Sequence, residues 1–326
     1  MDLITRMEEI AKRKPARIVV CEGRDERCLR ATADIMKEGL AHIILLGSPE
    51  EIKKKTSELQ IDIGKAEIID HVHAEVKGEL IEKLVKVRAH KGMTKEKASE
   101  LIEDVNYFAC TYALCGYADG VAGSAICPTA ELMRPALQLL RKESVVSEVL
   151  IARDVKNDGR ILFTTDSSLN IKPTPEQLAQ ITLNAVDAVR SFEIEPRVAM
   201  LSFSTKGSGG DSPEVQVVRD ALSKVKEERP NLIIDGEMQV DAAVNPKAAK
   251  SKCPDSILKG EANTLVLPNL EAANIFAHAL MQFSDMDFLF TVLEGLVKSV
   301  GILGRSSPQE MVRNIIVSCA MQANTK

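Results

Sequence analysis

Short apolar runs recur along the chain, each closed by a turn or capping signal and followed by a longer stretch with apolar residues every three or four positions. This alternation is the signature of βαβ units and predicts an α/β fold with parallel strands. The run Arg-Ile-Val-Val-Cys at 17–21 reads as a strand, leading through Glu-Gly-Arg-Asp-Glu-Arg into a helix that sets Cys28, Leu29, Ala31, Ile35 and Met36 in a helical pattern. The run at 42–47 opens a second unit, for which Ser48, Pro49 and Glu51 supply an N-cap, a first-turn proline and a capping-box acid. A third strand is expected at 66–70. In the second half, Thr174, Pro175 and Gln177 cap a helix carrying Leu178, Ile181, Ala185 and Val189, and Ser212 with Pro213 opens another. Strands are expected at 198–204, 232–235 and 264–268. No linker rich in Gly, Ser or Pro separates the halves, so the boundary is placed by strand-like stretches around 145–152.

Composition narrows the function more than the fold. The 326 residues are 45% hydrophobic and 27% charged, which is globular and long enough for two cores. A net charge of -5, 3% aromatics and no Trp leave neither a basic face nor a stacking platform, so nucleic acid is not an expected partner. No stretch approaches the roughly 20 apolar residues of a membrane span, and the start lacks a signal-peptide core. The expected place is the cytoplasm. Seven scattered cysteines with no CxxC pair read as reduced thiols. His71 and His73 lack a spaced third ligand, and no metal is expected.

Two small-residue segments invite chemistry. Ser204, Thr205, Lys206, Gly207 and Ser208 begin a turn between an expected strand and an expected helix, where free N–H groups and a lysine can surround an anion. The Walker spacing is absent, and such a turn is as often a plain connection. The segment 117–130 leads to Arg134, which suits a two-point clamp on phosphate or carboxylate. Its spacing from Glu131 favours a surface ion pair instead, and Arg88, on spacing, is a solvated helix residue.

Five runs together resemble the phosphate acetyltransferase family, in order and across essentially the whole chain. They are Cys-Glu-Gly-Arg-Asp-Glu-Arg from 21, Val-Arg-Ala-His-Lys-Gly-Met-Thr from 87, Ala-Asp-Gly-Val-Ala-Gly-Ser-Ala from 118 with the stretch 129–138, Met-Leu-Ser-Phe-Ser-Thr-Lys-Gly-Ser from 200, and Asp-Gly-Glu-Met-Gln-Val-Asp-Ala-Ala from 235. The resemblance implies two doubly wound α/β domains with a cleft between them, residues 1–148 plus 302–326 forming the first and 149–301 the second. It also implies a C-terminal helix returning to the first domain and a homodimer. The implied reaction interconverts acetyl-CoA, or another short acyl-CoA, plus phosphate with acyl phosphate plus CoA, without metal or cofactor. By position, Arg88, Thr129, Arg134 and Ser204 to Ser208 are the implied substrate-binding residues, with Arg305 in the catalytic segment.

The family's C-terminal stretch Asn-Asp-Leu-Ser-Arg-Gly, with Glu-Asp a few residues on, reads here as 301–311 with Arg305 kept. Gly304 stands for the serine, Gly301 and Ile302 for the Asn-Asp pair, and Met311 for the acid that would take the CoA thiol proton. Glu310 is a neighbouring substitute base, although Ser307, Pro308 and Glu310 also spell a capping box for the last helix. The remaining readings are slow turnover through a thiol made acidic by Arg134, Arg88 and Arg305, or an acyl-CoA-binding homologue acting as sensor or partner subunit. A dinucleotide enzyme is disfavoured because no GxGxxG follows a strand.

Overall fold

The computed structural model describes residues 2–156 and 159–325. The chain divides into two compact units, Met1–Lys142 with Leu296–Lys326, and Glu143–Gly295. The breaks fall near 142 and 295 rather than 148 and 301, for reasons of strand pairing. Ser147–Asp154 pairs with Met286–Glu294 in the second unit, whereas Ser299–Ile302 pairs with Gly120–Gly123 in the first.

The first unit is built on a five-stranded, wholly parallel sheet ordered Ser299–Ile302, Gly120–Gly123, Ala16–Val20, Ala41–Leu46, Glu67–Ile69. Its central strands are almost wholly buried, as expected of a sheet covered on both faces. Gly120 is fixed by close approach: a Cβ there would sit 2.2 Å from Ser299 Oγ. The order reverses between Ala16–Val20 and Gly120–Gly123, so the loops leaving these strands diverge and open a crevice at their C-terminal ends. The last helix, Gln309–Ala323, lies against Leu3–Arg13 and Glu26–Glu38 within this unit, burying Val312, Ile315, Ile316 and Cys319.

The expected cap of that last helix does not form. Pro308 is the N-cap, no side chain caps the first turn, and Glu310 lies exposed in it. The Ser307 carbonyl accepts from Arg27 Nη1 at 3.0 Å. Glu51 departs similarly: Ser48 caps its helix, but the Glu51 carboxylate pairs with Arg24 at 2.8 Å.

The second unit has a six-stranded mixed sheet ordered Met286–Glu294, Ser147–Asp154, Arg160–Thr165, Thr264–Val266, Arg197–Leu201, Ile233–Met238. Its last four strands are mutually parallel, like those of the first unit, while the two at the other edge join antiparallel. The sequence reading placed strands at 198–204, 232–235 and 264–268 and strand-like stretches around 145–152, but gave none at Arg160–Thr165 or Met286–Glu294 and did not foresee the antiparallel pairing. Asn157, Asp158 and Gly159 between two strand-like runs were its signal. The Thr174–Gln177 capping box closes in both directions over the helix Pro175–Ser191.

Candidate active site

In the first unit the crevice is walled by three loops. After the strand Ala16–Val20, Glu22 turns its carboxylate to the backbone of the next loop, Oε1 accepting from Ser124 N at 2.8 Å and Ala125 N at 3.2 Å. The Cys127 thiol lies 3.7 Å from the same oxygen. Burial raises the Glu22 pKa despite these donors, and burial followed by Glu22's charge raises that of the Cys127 thiol. Asp25 caps the helix Glu26–Glu38 and also holds the Arg27 guanidinium, at 3.0 Å from Nε and 2.8 Å from Nη2. Arg27 then reaches two other segments: Ala125 O at 2.7 Å, and the carbonyls of Gly304, Arg305 and Ser307 at 3.2, 3.1 and 3.0 Å.

Around these loops lies a cavity of about 510 Å³ at the strand ends. Glu22 Oε2, Asn106 Oδ1 and His71 Nδ1, all on residues of its wall, are buried without a hydrogen-bond partner among the described residues. Asp25, Glu51, Asp70, Glu103, Asp104 and Glu131 make the wall acidic, an unfavourable lining for phosphate. His73 bonds Asp70 at 2.8 Å while the His71 ring packs edge-on against Phe108, so the two imidazoles have different partners.

Two of the arginines singled out by sequence, Arg88 and Arg134, act electrostatically on Tyr107. Its hydroxyl donates to Gln138 at 3.0 Å, burial raises its pKa, and the charges of Arg134 and Arg88 pull it partly back. Arg134 is exposed, and the ion pair with Glu131 expected from spacing is absent among the described residues. Arg88 closes the helix Lys77–Arg88, half buried, with Nε lacking a partner. Thr129, exposed, is the first residue of the helix Thr129–Leu139, which also carries Arg134 and has no side-chain cap. Arg305 is exposed on the loop that Arg27 holds. Gly304 beside it has φ +71°, and a Cβ there would meet Ser307 Oγ at 2.7 Å, so this loop shape does not suit the family's serine.

In the second unit the small-residue turn has a different occupant from the one expected. Its N–H groups are engaged within the chain: Ser204 N to Ser202 Oγ, Thr205 N to Ser208 Oγ, Lys206 N to Glu237 O, Gly207 N to Glu237 Oε1, Ser208 N to Thr205 O, and Gly209 N to Ser204 Oγ. Lys206 folds back to Asp235 and the Gly236 carbonyl. The anion in the cradle is Glu237, which also accepts from Ser204 Oγ at 2.9 Å and from Arg219 at 3.0 and 3.1 Å. Burial opposes its ionisation, but Arg219 and the Gly207 N–H outweigh it and bring its pKa down to about 2. Sequence reasoning gave no role to Arg27, Tyr107, Arg219 or Glu237. Arg27 and Glu237 stand inside two of the five quoted runs, and that was the available signal.

Two α/β units, the first built on a wholly parallel sheet with a crevice at its C-terminal edge, define a doubly wound α/β protein. The family follows from comparison with known proteins. The phosphate acetyl/butaryl transferase family matches residues 2–320, and the chain belongs to that family. It is 37% identical over 331 residues to a phosphate acetyltransferase of Clostridium acetobutylicum, with 99% of each chain covered, and 37% identical over 323 residues to that of Bacillus subtilis. A crystal structure of a phosphotransacetylase from Streptococcus pyogenes matches with a TM-score of 0.94 and 36% identity, covering 99% of this chain and 98% of that one. A branched-chain phosphotransacylase from Enterococcus faecalis shares the fold at a TM-score of 0.70 and 16% identity.

Proposed function

We propose that the protein is a phosphate acyltransferase, moving a short acyl group, acetyl in the first instance, between CoA and phosphate. The observation that carries the proposal is the family match over residues 2–320, in a chain whose Arg134 is exposed without a carboxylate partner and whose Arg88 has an unpartnered Nε among the described residues. Guanidinium groups free of carboxylates suit phosphate, and CoA and acyl phosphate both bring it. The transfer changes no oxidation state. Attack of the CoA sulfur on the acyl carbon, or of a phosphate oxygen in reverse, passes through a tetrahedral oxyanion that Arg305 and neighbouring donors would stabilise. In this proposal Thr129, exposed at the start of the helix that carries Arg134, serves substrate, and the reaction needs no metal or cofactor.

A homodimer working in the cytoplasm belongs to the same proposal. No helix among the described residues is long and apolar enough to cross a membrane. The helix Leu270–Phe283 leaves Ile275 69% and Phe283 89% exposed, an apolar surface of the kind a second copy covers. The decisive experiment measures CoA release and acyl phosphate formation on one preparation, with CoA binding by calorimetry. Arg134→Ala should weaken CoA or phosphate binding roughly tenfold to a hundredfold, as for a lost charge-assisted hydrogen bond. Unchanged binding in that variant would return Arg134 to the surface, and CoA binding without turnover in the wild type would establish the sensor reading instead.

A further inference from the structure

We infer that Arg27 is the positioning residue that sets Arg305 against the helix carrying Thr129 and Arg134, an inference that rests on the function proposed above for those residues. A guanidinium has five N–H donors in one plane, and all are directed here. One edge is locked by Asp25, whose Oδ1 is also committed to Arg27 N at 2.9 Å and whose helix it caps. The other donors meet main-chain carbonyls only: Ala125 O, four residues before Thr129, and the carbonyls of Gly304, Arg305 and Ser307.

Two loops distant in sequence are thus tied to one planar group whose own orientation is fixed. Nothing else among the side-chain hydrogen bonds of the described residues links 304–307 to the loop after Gly123. The loop needs such a hold, because Gly304 is in the left-handed region and the helix that follows lacks a side-chain cap. Lysine cannot replace it: three donors on a flexible stem reach at most part of this set. Arg27 is half buried and bonded to the protein throughout, so its effect on the reaction passes through the residues it places.

The test compares wild type with Arg27→Lys and Arg27→Gln by amide exchange over 303–308, thermal unfolding, CoA affinity, and the separate kcat and KM values for acyl transfer. Faster exchange confined to 303–308, with kcat down roughly tenfold to a hundredfold and Tm little changed, is the expected result, and Lys should not rescue Gln. Unaltered exchange in that segment, or a loosened segment with wild-type kcat and KM, would overturn the inference. So would a loss of activity no larger than the loss of folded protein. Should the wild type make no acyl phosphate, the proposed reaction fails, and the positioning role is then decided by exchange and by CoA affinity, which must fall in Arg27→Lys.

Discussion

Replacing Glu237 by Gln tests the claim that the small-residue turn of the second unit is organised around an internal anion. The carboxylate is 3% exposed and accepts from Arg219 twice, from Gly207 N at 2.8 Å and from Ser204 Oγ at 2.9 Å. Glutamine keeps the size and one acceptor, but removes the charge that Arg219 faces and turns an NH2 group toward donors. Charge-assisted bonds are each worth about 1.5–3 kcal/mol and a half-broken buried pair about 3–5. With Arg219 partly solvated, a loss of about 2–3 kcal/mol is expected at neutral pH.

The pH dependence distinguishes this from a packing effect. Glu237 falls from an ordinary 4.5 to about 2, so the folded state holds it ionised more strongly than the unfolded chain does. Its contribution is therefore complete above pH 4.5 and is lost as the pH falls toward 2. The full interval would correspond to about 3 kcal/mol, and solvent around Arg219 reduces it to the order of 1–2. Urea unfolding of wild type and Glu237→Gln, followed by a probe in the second unit from pH 7 to pH 3, should show curves that converge in acid. A difference below about 0.5 kcal/mol, or one constant across that range, would mean that Glu237 does not anchor the turn.

The remaining predictions concern the proton of the CoA thiol. With Ile302 and Met311 at the family's acid positions and the thiol pKa near ~8.5, acyl transfer should quicken as pH rises toward that value, and Met311→Asp should help more at pH 7 than at pH 9. A wild-type rate flat from pH 6 to 8 would refute this. Because the structure gives Glu310 no capping bond, Glu310→Gln should change stability by less than about 0.5 kcal/mol. A rate loss of ~100-fold or more in that variant would identify Glu310 as the base.

How much of this was legible from sequence follows from the range of each signal. Strand starts and caps are local: Ala16–Val20, Ala41–Leu46 and the Thr174 capping box lie within a residue of where apolar periodicity and capping residues put them. The edge strands Ser147–Asp154 and Met286–Glu294 were harder, because they pair across more than 130 residues and only their burial shows which face is inside. Site residues divided the same way. Arg88 and Arg134 stand 46 positions apart, and only the tertiary fold brings the charges of both to bear on Tyr107.

The last helix lacks the expected side-chain cap, and the small-residue turn has its N–H groups engaged by the chain itself. A spacing rule identifies donors and acceptors that are able to meet, but which partner each takes is settled by competition with groups brought from elsewhere in the chain. On the last helix Pro308, not Ser307, is the N-cap, and the Ser307 carbonyl accepts from Arg27, 280 residues earlier. Glu237, 30 residues after Gly207, reaches the cradle as a covalently tethered anion, at high effective concentration. Buried donors must find acceptors. In a turn dense with N–H groups, a carboxylate carried on the adjacent strand therefore meets that demand before any diffusing anion can.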